Sequence, residues 1–249
     1  MNTRFNPTVN GRLHAGHLYL VLLNYHAAKS SGGRFVVRFD DDQVHWRVAI
    51  GEAEMDRFAE HAKKDLEWLG LIPDAYTSER QSRQLNEEFV VGRLPNPRMI
   101  LADREIDDFT VFRCTPRIKT HGAPYPYTPY LTSVKVAQDH RERIDMLVRG
   151  DDLVDEFSLY CYLCDLAGVP RPVFHYVPRM MRNGGAYGHA AELTNVSKTV
   201  GGCSIAEYRE AEWKPGELVE MLAESALLDP KEGWTYENVK RNPILRRLP

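Results

Sequence analysis

Apolar and polar positions along this chain follow two periods in turn. "TRF" near the start is a short β-branched and aromatic run, read as a first strand. Leu18 to Lys29 has helical spacing, with Leu18, Val21, Leu22 and Tyr25 on one face. Ser30 to Gly33 closes it with glycines suited to a left-handed cap. "RFVVRF" (34–39) predicts a buried strand, because a near-continuous apolar run suits a parallel sheet covered on both faces. "GEAEMDRFAEHAKKDLEWLG" (51–70) predicts a second, amphipathic helix stopped by Gly70 and Pro73. Strand, helix, strand, helix is the opening of a parallel α/β sheet.

Between 74 and 132 the pattern breaks. Pro95, Pro97, Pro116, Pro124, Pro126 and Pro129 interrupt it, and "DFTVFRC" reads as an isolated strand. This stretch is expected to be an insertion with its own small fold. The α/β texture then returns: "IDMLVRG" (144–150) as a strand, "DDLVDEFSLYCYLCDLAG" as a helix, "PVFHYV" (172–177) as a strand, and a helix at about 215–228. The expected division is 1–73 with 133–228 as the α/β domain, 74–132 as the insertion, and 229–249 as a basic tail. No repeat or low-complexity stretch is present.

Composition changes this picture little. The 249 residues are 43% hydrophobic and 27% charged, with a formal net charge of −3. No global basic field advertises nucleic acid, although a local basic face is compatible with that sum. The N-terminus has no basic-then-apolar leader and no apolar run reaches membrane-spanning length, so the expectation is a cytoplasmic protein with reduced thiols and no membrane partner. Cys161 and Cys164 form a lone C-x-x-C in a segment of helical period. Without a second ligand pair they read as core-facing thiols, and no structural zinc is expected.

Chemistry in a parallel sheet gathers beyond the carboxyl ends of the strands, at helix N-termini. His14, Gly16 and His17 fall at such a point. Helix-mouth N–H groups attract phosphate, glycine permits close approach, and imidazoles can donate to phosphoryl oxygens as charge develops. A second candidate is the polar "ELTNVSKTVGG" (192–202), where Ser197 and Lys198 could pair with a polyphosphate. Taken singly, the first is also what a helix cap looks like and the second what a solvated loop looks like.

Together the two elements are specific. His14-Ala15-Gly16-His17 resembles the HIGH motif of class I aminoacyl-tRNA synthetases, and Asn195-Val196-Ser197-Lys198-Thr199 resembles their KMSKS loop. "TRFNPTVNGRLHAGH" and "GGRFVVRFDDDQ" look like the opening and the acid-ended second strand of glutamyl-tRNA synthetases. "LEWLGL", "LVRGDDL" and "PVFHYVP" have counterparts in the same order. The resemblance runs from residue 3 to about 222.

It implies a Rossmann-like fold of the class I synthetase type and activation of an amino acid by ATP, with Mg2+ travelling with the nucleotide. His14, His17 and Lys198 would serve catalysis. Gly16, Asp152 and Ser197 would meet ATP. Arg4, Thr8, Asp40, Tyr130, Lys135 and Arg149 would line the amino-acid pocket. Arg4 and Arg149 match arginines that grip substrate carboxylates, and Asp40 matches an acid that pairs with the ammonium.

Several positions depart from the family. Asn195 replaces the first lysine of the loop. Counting back from His140 puts the family's substrate-binding Tyr and Asn on Leu131 and Lys135, and a one-residue gap restores Tyr130. The insertion is short, and the chain ends where an anticodon-binding region is expected to begin. A truncated relative, glutamyl-queuosine tRNA(Asp) synthetase, carries a zinc cluster of cysteines in its insertion, whereas this insertion contains only Cys114.

The leading expectation is therefore activation of glutamate or a related amino acid. The aminoacyl group would pass to an acceptor other than an ordinary tRNA 3′ end: a modified nucleobase in RNA or DNA, or a small amine. The competing readings are a non-catalytic synthetase paralogue acting as a binding or regulatory module, and a nucleotidyltransferase of the wider H-x-G-H superfamily.

Overall fold

The computed structural model describes residues 1–102, 129–150, 153–177, 181–183, 193–195, 204–225 and 233–235. Its centre is a five-stranded parallel sheet in the order β3-β2-β1-β4-β5, built from β1 (Thr3–Phe5), β2 (Phe35–Phe39), β3 (Ala75–Ser78), β4 (Met146–Gly150) and β5 (Val173–Val177). The order reverses between β1 and β4, so the topological switch point of this Rossmann-like sheet lies beyond the carboxyl ends of those two strands. A separate two-stranded antiparallel pair joins β6 (Met181–Asn183) to β7 (Leu193–Asn195).

The helices are α1 (Ala15–Ser30), α2 (Val44–Ile50), α3 (Glu52–Trp68), α4 (Arg83–Arg93), α5 (Pro97–Ala102), α6 (Pro129–Glu142), α7 (Glu156–Ala167), α8 (Ile205–Glu210) and α9 (Pro215–Ser225). They cover the sheet on two sides. One core joins Phe5, Phe35, Val37, Phe39, Met146 and Val148 to α1 and α3; the other joins Val36 and Leu147 to Val90, Val136, Tyr160, Leu163 and Cys164. Alternation along each strand sends neighbouring residues to opposite layers. Burial on both faces explains why β2 and β4 read as near-continuous apolar runs. Cys161 and Cys164 are buried on α7.

The sheet does not stop at residue 73. β3 and its register with β2 (Arg38↔Thr77, Phe39↔Ser78) lie inside the stretch expected to be an insertion. The signal "AYTS" is too short to stand out, and pairing with β2 rather than local propensity makes it a strand. α1 also begins at Ala15 rather than Leu18, because a side-chain cap supplied by two histidines starts it a turn earlier. α2 was not predicted; its seven residues are too few to show a period. The region holding Cys114 and "DFTVFRC" lies outside the described residues, as does the tail from 236.

Candidate active site at the switch point

The mouth of α1 is closed by a reciprocal cap. The Gly16 amide donates to His14 Nδ1 at 3.1 Å, and the His14 amide donates to His17 Nδ1 at 3.2 Å. The two rings lie 3.8 Å apart, centre to centre. Each Nδ1 is thereby an acceptor, which places the ring proton on Nε2 and makes Nε2–H the donor edge of both imidazoles. The amides of Gly16 and His17 are used within the cap, the latter donating to the His14 carbonyl at 2.9 Å. At this helix mouth those two amides are therefore already used as donors within the cap.

A distant segment converges here. His14 and Ser204 form an antiparallel bridge, and the Ile205 amide donates to the Leu13 carbonyl at 2.9 Å. Ser204 caps α8 with Glu207, its hydroxyl accepting from the Glu207 amide at 3.3 Å. Ser204, at the end of the stretch that follows β7, thus lies at the α1 mouth. Ser197 and Lys198 on that stretch, and Asp152 beyond β4, lie outside the described residues; Asn195 ends β7.

Beside β1 stands the acid-ended strand β2. Thr8 and Asp40 extend the β1–β2 pairing by a parallel bridge, and Thr8 Oγ1 donates to Asp40 Oδ2 at 3.0 Å. Gln43 Nε2 donates to the same oxygen. Asp40 Oδ1 is buried with no hydrogen-bond partner among the described residues. The other two aspartates of the run serve the fold. Asp41 accepts from Ser78 Oγ at 2.6 Å and from the Arg80 amide at 2.8 Å. Asp42 accepts two bonds at 3.0 Å from Arg83 Nε and one at 3.5 Å from Tyr130 Oη.

Between Asp40 and β4 lies a buried layer of charge. Register and alternation put Arg4, Arg38 and Arg149 on the side of the sheet covered by α6 and α7. Arg4 binds Asp139 of α6 through both prongs, at 2.5 and 2.9 Å. Arg38 reaches Asp139 at 2.7 Å and Glu142 at 2.5 Å, and Tyr160 donates to Asp139 at 2.7 Å. Burial alone would raise the Asp139 carboxyl, but Arg38 and Arg4 outweigh it and hold it well below the usual range. Arg149 binds Glu156, and Lys135 Nζ lies 3.0 Å from the same carboxylate. Here too burial acts upward, yet the two cations hold the Glu156 pKa at about 2.

Glu79, one step past β3, is buried and accepts from Asn6 Nδ2 at 3.3 Å. Burial, reinforced by Asp40, pushes its carboxyl well above the ordinary range. A cavity of about 310 Å3 between α3 and β3, lined by Phe39, Lys63 and Tyr76, shares no residue with this layer.

The structure therefore places Thr8, His14, Gly16, His17 and Asp40 at the carboxyl ends of β1 and β2, and Arg4, Lys135 and Arg149 in the charged layer under α6 and α7, with Tyr130 bonded to Asp42. Sequence reasoning did not single out Arg38, Glu79, Asp139 and Glu156. Arg38 carried a usable signal, a charge two residues before Asp40 within an otherwise apolar strand. Asp139 and Glu156 carried none, since acids on helices are ordinarily solvated.

Residues 1–90 match the family described as tRNA synthetases class I (E and Q), catalytic domain. Over 80 residues the chain is 42% identical to a glutamate–tRNA ligase of Novosphingobium aromaticivorans, covering 32% of this chain and 16% of that enzyme. The fold resembles a glutamate–tRNA synthetase from Elizabethkingia anophelis with TM-score 0.62 at 16% identity, covering 100% of this chain and 66% of that one. It also resembles a glutamate–tRNA ligase from Elizabethkingia meningosepticum, solved in complex with its amino acid, with TM-score 0.62 at 17% identity, covering 100% of this chain and 65% of that one. The chain thus spans a small part of the curated relative it matches. Among the described residues no helix is long and apolar enough to cross a membrane.

Proposed function

Because the chain is glutamyl-tRNA synthetase-like, we propose that it activates an amino acid with ATP and passes the aminoacyl group to an acceptor other than an ordinary tRNA 3′ end. The observation that carries this reading is the paired-imidazole mouth of α1 after β1, next to a strand ended by the buried, half-satisfied carboxylate of Asp40.

In the first step a carboxylate oxygen of the amino acid attacks the α-phosphorus of ATP. A new P–O bond forms, the bond to the β-phosphate bridge breaks, and pyrophosphate leaves. Asp40 Oδ1 accepts from the substrate ammonium, while Thr8 and Gln43 fix the other oxygen so that the carboxylate keeps its aim. The Nε2–H groups of His14 and His17 donate to phosphate oxygens as negative charge builds on them. Lys198 draws off the leaving phosphates, and Ser197 and Asp152 contact the nucleotide. The nucleotide would be taken as its Mg2+ complex, in which the ion would neutralise part of the phosphate charge. In the second step a nucleophile on the acceptor attacks the carbonyl carbon and AMP departs. The acceptor class that fits this reading is a modified nucleobase in RNA or DNA, or a small amine.

The test is amino-acid-dependent exchange of pyrophosphate into ATP across the twenty amino acids, with and without bulk RNA. Exchange with one amino acid is expected. His14→Ala should lower it by about 100- to 1,000-fold, the loss typical of a donor to developing charge. ATP binding without exchange in either arm would sink this reading in favour of a binding module.

A further inference from the structure

The buried layer between Asp40 and β4 already holds its own charges in pairs. Arg4 and Arg38 share Asp139, and Arg38 also takes Glu142. Lys135 and Arg149 share Glu156, whose two oxygens are both occupied. Oε1 accepts from Lys135 at 3.0 Å and Thr132 at 3.1 Å, and Oε2 accepts from Arg149. Glu156 is fully buried and is the first residue of α7, where the helix dipole further favours a carboxylate. Every cation of the layer therefore has an internal carboxylate partner.

What the layer leaves unpartnered is different in kind. Among the described residues Asp40 Oδ1 lacks a donor, while Arg149 Nη1 and Arg38 Nε and Nη1 lack an acceptor. Arg149 and Tyr176 are register partners on β4 and β5. A zwitterion with its ammonium on Asp40 supplies the donor that the first of these atoms lacks. A second ligand carboxylate would enter a layer that already contains Asp40, Glu79, Asp139, Glu142 and Glu156. Buried charge without a partner is costly, so that arrangement selects against it. Glu79, whose carboxyl burial and Asp40 already push above its ordinary range, adds to the cost of a further carboxylate.

Building on the adenylation reading, we infer that Glu156 acts as an internal stand-in for a substrate carboxylate, so that the pocket takes an α-amino acid with an uncharged side chain and rejects glutamate. Glu156 is a positioning residue here: it acts through Lys135 and Arg149.

The experiment compares kcat/KM for exchange with uncharged, acidic and basic amino acids in three proteins, with bulk RNA present. These are the wild type, Glu156→Gln, and a double variant with Lys135→Gln and Glu156→Gln. The double variant removes one charge of each sign and keeps the buried sum, which guards against a folding failure of the single change. The wild type is expected to favour an uncharged amino acid over glutamate and aspartate by at least about tenfold, the scale of one lost ion pairing. Both variants are expected to move that ratio toward the acids by a similar factor, which a merely structural role would leave unmoved.

Preference of the wild type for an acidic or a basic amino acid would overturn the inference while leaving adenylation in place. A ratio unmoved in both variants would overturn the role of Glu156. If no amino acid supports exchange, the adenylation reading fails, and calorimetric titration of the same amino acids decides the inference separately. Binding of an uncharged one without glutamate would support it, and no binding at all would overturn it.

Discussion

Asp40→Asn separates a binding carboxylate from a structural one. The substitution keeps the side-chain outline and the acceptor oxygen that Thr8 and Gln43 use. It removes the charge and replaces an oxygen that is buried without a partner. An unsatisfied buried polar atom costs about 1–3 kcal/mol, more when charged, so the folded state is expected to be as stable as the wild type or more so. Relief of the repulsion that Asp40 exerts on Glu79 works in the same direction. Function is expected to move the opposite way. A charge-assisted hydrogen bond to the substrate ammonium contributes about 1.5–3 kcal/mol, so its loss raises the amino-acid KM by about 10- to 150-fold. Thermal unfolding and amino-acid titration of pyrophosphate exchange read the two effects on one sample. A variant destabilised by more than about 1 kcal/mol with an unchanged KM would refute the assignment, because that is the signature of a carboxylate that holds the fold.

Asp139→Asn leaves Arg4 and Arg38 buried with a weakened partner, and should cost about 3–5 kcal/mol in urea unfolding; a loss below about 1 kcal/mol would show that the network is not a hub. Asp65, buried on α3 with Arg209 3.2 Å away, has its pKa raised from 3.8 to about 6 by burial, against the pull of Arg209 and Arg12. The folded state then binds more protons than the unfolded state across that window, so stability falls as pH rises from about 4 to 6. Asp65→Asn should therefore stabilise the protein by about 2 kcal/mol at pH 8 and by nothing at pH 4, measured as paired unfolding curves; equal gains at both pH values would contradict it. Tyr160→Phe removes one donor from Asp139 and should cost about 1 kcal/mol with substrate KM unchanged.

Local chemistry carried much of this protein into view before any coordinates. The apolar runs at 35–39 and 146–150 had to be strands buried on both faces, and the 52–68 stretch had to be an amphipathic helix, because nothing else hides those side chains. The pair His14 and His17 is equally local. Residues three apart at a helix start can cap each other, so spacing alone brings the two rings together. Asp40 was legible as the acid ending a strand beside the first.

The tertiary structure decided which charges are available and which are spent. Arg4 meets Asp139 across 135 residues, Arg38 meets Glu142 across 104, and no local pattern encodes either contact. Of three consecutive aspartates, alternation and neighbouring helices give Asp41 and Asp42 to the fold and leave Asp40 an open oxygen. In sequence, resemblance makes Arg149 a grip for a substrate carboxylate and Lys135 a pocket-lining position. Packing α7 against β4 places Glu156 between them. The reason is general: periodicity fixes which face a side chain takes, whereas the charge it meets there depends on which element the chain later lays over that face.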